Sequence, residues 1–219
     1  MHSLTKNWLH QILFHNRFRF DNGSLDKLTV DGTDFRIYIH GGDAAHWFSH
    51  KYKGPGVRYE LAIAIQTGDI CHIGGPFPAG RWPDLRIFRS CLKQKLMREN
   101  RFCREKVEAD KGYGGEPFWI SLPDELGGGG AGQRSAKGRA RSRHETVNRR
   151  FKQWKSLNGT FRHGMERHGK VFNAIAVITQ IDFRTGNPPF QVEYRTMETE
   201  AEKRVRLLVL ERYRNRRAR

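Results

Sequence analysis

The sequence predicts an α/β fold with a mixed β-sheet flanked by helices, on three observations. Apolar and polar residues alternate at Phe35–Ile39 and again at Tyr59–Ile65, the two-residue period of strands. Helical spacing takes over at Leu85–Leu96 and from about Arg139 to Leu157. The strand-like and helix-like segments interleave along the chain rather than forming separate blocks. At 219 residues the chain suits one compact domain with appendages. The expected layout is a helical extension over 1–27, a main domain over 28–195 and a basic tail over 196–219.

The opening MHSLTKNWLHQILFHNRF mixes apolar residues with Lys, His and Asn, so it lacks the unbroken apolar centre of a secretory signal and reads as a short amphipathic helix. A DNGS turn at Asp21–Ser24 precedes the first strand, LTVDGTDFRIYIH, in which Phe35, Ile37 and Ile39 oppose Arg36, Tyr38 and His40. HWFSHKYKGPGVR (His46–Arg58) then surrounds a Gly-Pro-Gly breaker with aromatics and cations. A second strand, YELAIAIQ, turns at Thr67-Gly68-Asp69 into a third, ICHIGG. Asp84 is expected to cap a helix carrying Leu85, Phe88, Cys91 or Leu92, and Leu96. KVEAD reads as a strand ending at Asp110, and PFWISLP as another. The glycine-rich run Gly127–Gly132 reads as a flexible connector, without the Gly-Lys-Ser/Thr of a phosphate loop.

In the following helix, ~100° per residue puts Val147, Phe151 and Trp154 on one stripe. Glu145 lies opposite, a single acid among Arg141, Asn148, Arg149 and Lys152. KVFNAIAVITQI is apolar nearly all round, a buried helix, and QVEY reads as a short closing strand.

The charge limits the partners. Forty Lys and Arg against 23 Asp and Glu leave a formal +17, which calls for a polyanion. No stretch approaches the roughly 18 consecutive apolar residues of a membrane span, so nucleic acid is favoured over a membrane surface. Cys71, Cys91 and Cys103 are odd in number and widely spaced, offering neither a disulfide framework nor a zinc knuckle, as befits a reduced intracellular protein.

Breaking a phosphodiester requires a strong nucleophile and neutralisation of the leaving oxygen. Two divalent ions roughly 3.5 to 4 Å apart supply both, and a few carboxylates on separate rigid elements suffice to hold Mg²⁺. Asp31, Asp110 and Glu145 are candidates of that kind. Each also has an ordinary reading: Asp31 and Asp110 as turn residues beside glycine, Glu145 as a surface bridge to Arg141 or Arg149 at four-residue spacing.

The words VDGT (Val30–Thr33), SHKYKGPGVRYE (Ser49–Glu60), GPFPAGRWPDLRIFR (Gly75–Arg89), EADKGYGG (Glu108–Gly115) and ARSRHETVNRRFKQW (Ala140–Trp154) occur in that order. Together they resemble the DDE superfamily endonuclease domain, and more closely Harbinger-like transposases, over roughly Leu28–Tyr194. The resemblance implies a ribonuclease-H-like core, which the element order also fits. It makes Asp31, Asp110 and Glu145 the three catalytic, metal-holding acids, and the 35 positions between Asp110 and Glu145 suit the family's spacing. The implied cofactor is a pair of divalent ions, Mg²⁺ or Mn²⁺, and the implied reaction is DNA strand cleavage followed by transfer of the freed 3′ hydroxyl.

Lys51, Lys53, Arg58, Arg141, Arg149 and Lys152 are the candidate DNA contacts, because phosphates are held mainly by such side chains. Trp47, Phe48 and Tyr52 are candidates for stacking on unpaired bases, with core packing as their ordinary role. Asp84 of the WPD segment matches a recurrent family position, as a helix cap first and a site-adjacent acid second. Only about thirty residues precede Asp31, so a separate Myb-like DNA-binding partner is expected to supply sequence recognition. The basic tail is read as a nuclear localisation signal or a nonspecific DNA clamp. The competing expectation is a domesticated or decayed transposase that binds nucleic acid without cutting it. An RNA-binding protein is a third class, without an RRM or KH signature to support it.

Overall fold

The structure, a computed structural model, describes residues 9–41, 44–99, 105–122, 131–193 and 195–211, apart from 198, 202, 205, 206, 209 and 210. Strands β1 (Asp26–Arg36), β3 (Gly54–Ala64) and β4 (Ile70–Pro78) form an antiparallel meander with β3 in the middle. On the other side of β1, strands β5 (Lys106–Glu108) and β6 (Ile120–Ser121) add in parallel, which makes the sheet mixed. The short helix α1 (Ala44–Trp47) leads into the two-residue β2 (Phe48–Ser49), which pairs with the start of β3. The β3–β4 turn falls where Thr67-Gly68-Asp69 predicted it, with Gly68 at φ +75°.

Two-residue alternation sends side chains to opposite faces. Leu28, Val30, Ala62, Ala64 and Val107 meet Phe88, Leu92 and Leu96, from the short helices α2 (Asp84–Ser90) and α3 (Leu92–Glu99). Phe35, Val57, Tyr59, Leu61 and Ile63 meet the other layer, built by α4 (Ala131–Lys152) and α6 (Met165–Thr185). Here Phe172 stacks on Tyr59 with ring centroids 3.8 Å apart, and the Tyr59 hydroxyl lies 2.7 Å from Nδ1 of His168. The α/β sandwich predicted from the sequence is therefore present, with helices on both faces of a mixed sheet. Among the described residues no helix is long and apolar enough to cross a membrane.

Several elements differ from the expectation. The described part of the amino-terminal segment forms two 3-10 turns, Leu9–Gln11 and Phe14–Phe18, rather than one helix. They are anchored by Arg17, whose fully buried guanidinium grips the Glu105 carboxylate at 2.9 and 3.0 Å. The helix after Asp84 breaks at Cys91 into α2 and α3. PFWISLP yields only the two-residue β6, because Pro117–Trp119 are spent in a turn, and the described part of QVEY is irregular. Trp154 leaves the apolar stripe: α4 stops at Lys152, so Val147 and Phe151 are buried while Trp154 is exposed at the start of the four-residue α5 (Lys155–Asn158). Cys103, Gly127–Gly130 and much of the basic tail lie outside the described residues.

Candidate active site

Asp31 lies on β1, opposite Leu61 of β3, on the face covered by α4. In the parallel ladder Thr29 is the partner of Glu108. Two positions further along the chain come Asp31 and, just past the end of β5, Asp110, close enough for the Asp110 charge to act on Asp31. β5 itself ends at Glu108, two residues earlier than the sequence predicted. Asp110 instead caps the 3-10 turn Lys111–Tyr113, its Oδ1 accepting the Gly112 N–H at 2.9 Å. Asp31 is held in the same manner, its Oδ1 accepting the Gly32 N–H at 2.8 Å. Each carboxylate is thus oriented by its own backbone and keeps a second oxygen for other work.

The electrostatics show that these acids are crowded. Burial pushes Asp31 up from 3.8 to about 6, with Asp110 and Asp84 adding to the rise while the Gly32 N–H and Lys51 oppose it. Asp84 is displaced upward too, by burial first and then by Asp110 and Asp34, against the pull of Arg58. The Tyr113 hydroxyl is fully buried near Glu60, Asp84, Asp31 and Asp110, and burial raises its pKa well above 10.

Asp84 comes to the site by packing rather than by capping. Pro83 occupies the N-cap of α2, and Asp84 is its first residue, where a negative charge is favoured by the helix dipole. Its side chain reaches across Gly32: a β-carbon there would lie 2.2 Å from Asp84 Oδ1. A β-carbon on Gly112 would lie 3.1 Å from Asp110 Oδ1 and 3.4 Å from Asp84 Oδ2. The glycines of the Asp-Gly-Thr and Asp-Lys-Gly-Tyr words therefore leave room for carboxylates beside them. The sequence signal for this was the WPD word, read first as a cap.

Beneath Gly32, its ladder partner Glu60 is fully buried. Burial raises Glu60 to about 8 and lowers His72, whose Nε2 is 3.4 Å away, to about 3. Near neutral pH both are uncharged, and the pair is a contact between neutral groups rather than an ion pair.

Glu145 is exposed on α4, facing away from the stripe of Val147 and Phe151 as the helical period predicted. The charges that act on Asp31 are Asp110, Asp84 and Lys51, and Glu145 is not among them. Among the described residues no three His, Cys, Asp or Glu side chains converge tightly enough to enclose a metal ion. What the fold provides is two neighbouring, backbone-oriented carboxylates, hard oxygen donors of the kind Mg²⁺ takes, with an acid-bearing helix packed on β1.

Two residues connect α4 to this layer: His144, which sequence reasoning passed over, and Arg141, which it read as a DNA contact. His144 Nε2 lies 2.9 Å from Thr29 Oγ1, both buried, and burial lowers His144 to about 4, so the ring is neutral. Arg141 Nε lies 3.8 Å from Oε1 of the buried Glu108.

The candidate DNA contacts divide into two sets. Lys51 and Lys53 are exposed in the turn after β2, Arg149 is exposed on α4, and Lys152 Nζ stands 5.8 Å from the Tyr52 ring centre. Arg58, by contrast, makes a bidentate pair with Asp34 at 2.6 and 3.1 Å and approaches Asp84 Oδ1 at 3.4 Å, and Arg141 faces Glu108. Of the stacking candidates, Trp47 packs against the α4/α6 layer, Phe48 is exposed and Tyr52 is half-buried, donating to the Asp34 carbonyl at 3.0 Å.

Searches of curated proteins and of solved structures returned no match. A family model described as DDE superfamily endonuclease matches residues 30–180, a span that takes in Asp31, Asp84, Asp110 and Glu145. With that match over most of its length and an α/β architecture of the ribonuclease-H-like class, the chain belongs to the DDE superfamily endonucleases and is a transposase-type nuclease domain.

Proposed function

We propose that the chain is a divalent-metal-dependent DNA endonuclease or transposase domain whose catalytic acids are Asp31, Asp110 and Glu145. The observation that carries this reading is the nearness of Asp31 on β1 to Asp110, just past the end of the neighbouring β5, with the helix that bears Glu145 packed on the same β1. Asp31, Asp110 and Glu145 would hold divalent ions, Mg²⁺ or Mn²⁺ and two in number, which would supply activation of a water or 3′ hydroxyl at neutral pH and neutralisation of the departing 3′ oxygen. The chain's own part is to present the oxygens in fixed directions and to seat the phosphodiester next to them. Asp31 and Asp110 meet the first need through their bonds to Gly32 and Gly112.

Lys51, close enough to Asp31 to act on its proton, is suited to the scissile phosphate. From there a surface without acids continues: the stretches 35–41, 44–59 and 146–165 contain no Asp or Glu. They meet where Phe161 bridges Ile37 and where Arg36 and Lys152 both flank Tyr52. Lys53, Arg149 and Lys152 extend this edge as phosphate contacts. A nuclear location and a separate Myb-like DNA-binding partner belong to the same reading, on the strength of the basic tail and the family resemblance.

Purified wild-type chain is expected to nick supercoiled plasmid in Mg²⁺ or Mn²⁺. Asp110→Ala and Glu145→Gln are expected to abolish nicking while melting like the wild type. Full activity in either variant refutes the assignment. The second reading, binding without cleavage, draws on the absence of three converging acids among the described residues. It predicts salt-sensitive DNA binding with no nicking in any metal.

A further inference from the structure

We propose that His144 and Arg141 are positioning residues: through Thr29 and Glu108 they fix the rotation and height of α4, and so aim Glu145 at the layer of Asp31 and Asp110. The proposal rests on the reading of Glu145 as the third acid.

Thr29 and Glu108 are direct partners in the β1–β5 ladder, each two residues before an acid. One helix reaches both. His144 Nε2 is 2.9 Å from Thr29 Oγ1, and Arg141 Nε is 3.8 Å from Glu108 Oε1. Thr29, Glu108 and His144 are each at most 2% exposed. The two helix residues are three positions apart, on neighbouring parts of one side, and their partners lie on different strands. Two such tethers define a rotation, where one would leave a pivot.

α4 is also held by Arg143, which donates to the carbonyls of Ala64, Ile65 and Phe190, and by Lys137 beside Asp26, but these contacts fall on the end of β3, on Phe190 and on the start of β1 rather than on the residues that precede the acids. Val147 and Phe151 enter an apolar cluster, and burial of apolar area is non-directional, so it holds a helix down without setting its angle. The His144–Thr29 hydrogen bond weakens steeply with misalignment and both of its groups would be stranded in the interior if the helix turned, while the same turn would draw Arg141 away from the buried Glu108 carboxylate it faces at 3.8 Å. Glu145 follows His144 directly and lies one turn beyond Arg141, on the same side. Its bearing therefore follows that of the two residues that contact Thr29 and Glu108.

The experiment measures Mn²⁺ affinity of the metal-free full chain by calorimetry, alongside kcat and KM for plasmid nicking. His144→Leu and Arg141→Met are expected to lower Mn²⁺ affinity and kcat by about 10-fold or more, the usual effect of losing a group that orients a metal ligand, with KM for DNA unchanged. His144→Gln, which keeps a polar group facing Thr29, is expected to recover most of the loss. Thr29→Val removes the same bond from the strand side and serves if His144→Leu fails to fold. Combined with Glu145→Gln, His144→Leu is expected to add nothing.

Wild-type Mn²⁺ affinity and kcat in folded His144→Leu or Thr29→Val overturn the proposal, as does an undiminished loss in the Glu145→Gln background. If Glu145→Gln alone binds Mn²⁺ and cleaves like the wild type, Glu145 is not the third acid and both readings fall. If Glu145→Gln is inactive while His144→Leu is normal, only the positioning role falls.

Discussion

Replacing Gly32 with alanine is expected to dislodge Asp84, and shortening Asp84 is expected to repair the damage. The added β-carbon would stand 2.2 Å from Asp84 Oδ1 and 3.1 Å from its Cγ. Non-bonded heavy atoms settle near 3.5 Å or beyond, so the carboxylate must retreat by roughly 1 Å or β1 must bend. Overpacking of that kind costs typically about 1–3 kcal/mol. Retreat also draws Oδ1 away from Arg58, whose Nη1 stands 3.4 Å from it. In Gly32→Ala combined with Asp84→Ala the new methyl enters space the carboxylate has left. The four proteins form a double-mutant cycle, read by urea unfolding, with an expected coupling of about 1 kcal/mol or more in favour of the double mutant. Additive effects, within about 0.5 kcal/mol, would show that Asp84 does not occupy the space above Gly32.

The proton on Asp31 offers a second test. Because burial and neighbouring acids raise its pKa from 3.8 to about 6, its folded-state value lies above the unfolded one. Its contribution to stability is therefore fully present below about pH 4 and lost as pH rises through about 6. Asp31→Asn is expected to be more stable than wild type at pH 7.5 in EDTA, by on the order of 2–3 kcal/mol at most, with the gap closing toward pH 4. Thermal melts at the two pH values check this, and a mutant no more stable at pH 7.5 contradicts it. On α4 and just beyond it, Phe151→Ala is expected to cost about 3–5 kcal/mol, as buried aromatics do, and Trp154→Ala less than about 1 kcal/mol. Equal losses in urea unfolding would mean that Trp154 belongs to the core after all.

The sequence made the strands legible where alternation survives, as at Phe35 and Ile37 against Arg36 and Tyr38. Along β3 the alternation hides a sheet covered on both sides, since Glu60, Ala62 and Ala64 are as buried as Leu61 and Ile63. Trp154 was misplaced because the apolar stripe continues in the sequence for a turn after the helix has ended at Lys152. Asp31 and Asp110 stood out as candidates from the glycine words around them, and Glu145 from its lone charge on a basic helix face. Asp84 was legible only as a helix cap first and a site-adjacent acid second, because its place arises where α2 crosses β1, and no local pattern records which glycine a distant carboxylate will overlie. His144 escaped for a similar reason: a histidine on a helix looks the same in sequence whether its ring meets solvent or a threonine two places before an acid.

The parallel pairing of β1 with β5 also decides where the gene tolerates changes of length. Side chains reverse face at every residue, so one residue inserted between Thr29 and Asp31, or between Glu108 and Asp110, would turn an acid toward α2 and α3 and into the apolar layer. Two inserted residues would restore the face but carry the acid some 6–7 Å along the strand, past its neighbour. Substitutions can be absorbed around these two dipeptide steps. Insertions and deletions within them cannot, because either would carry an acid off its face or past its neighbour.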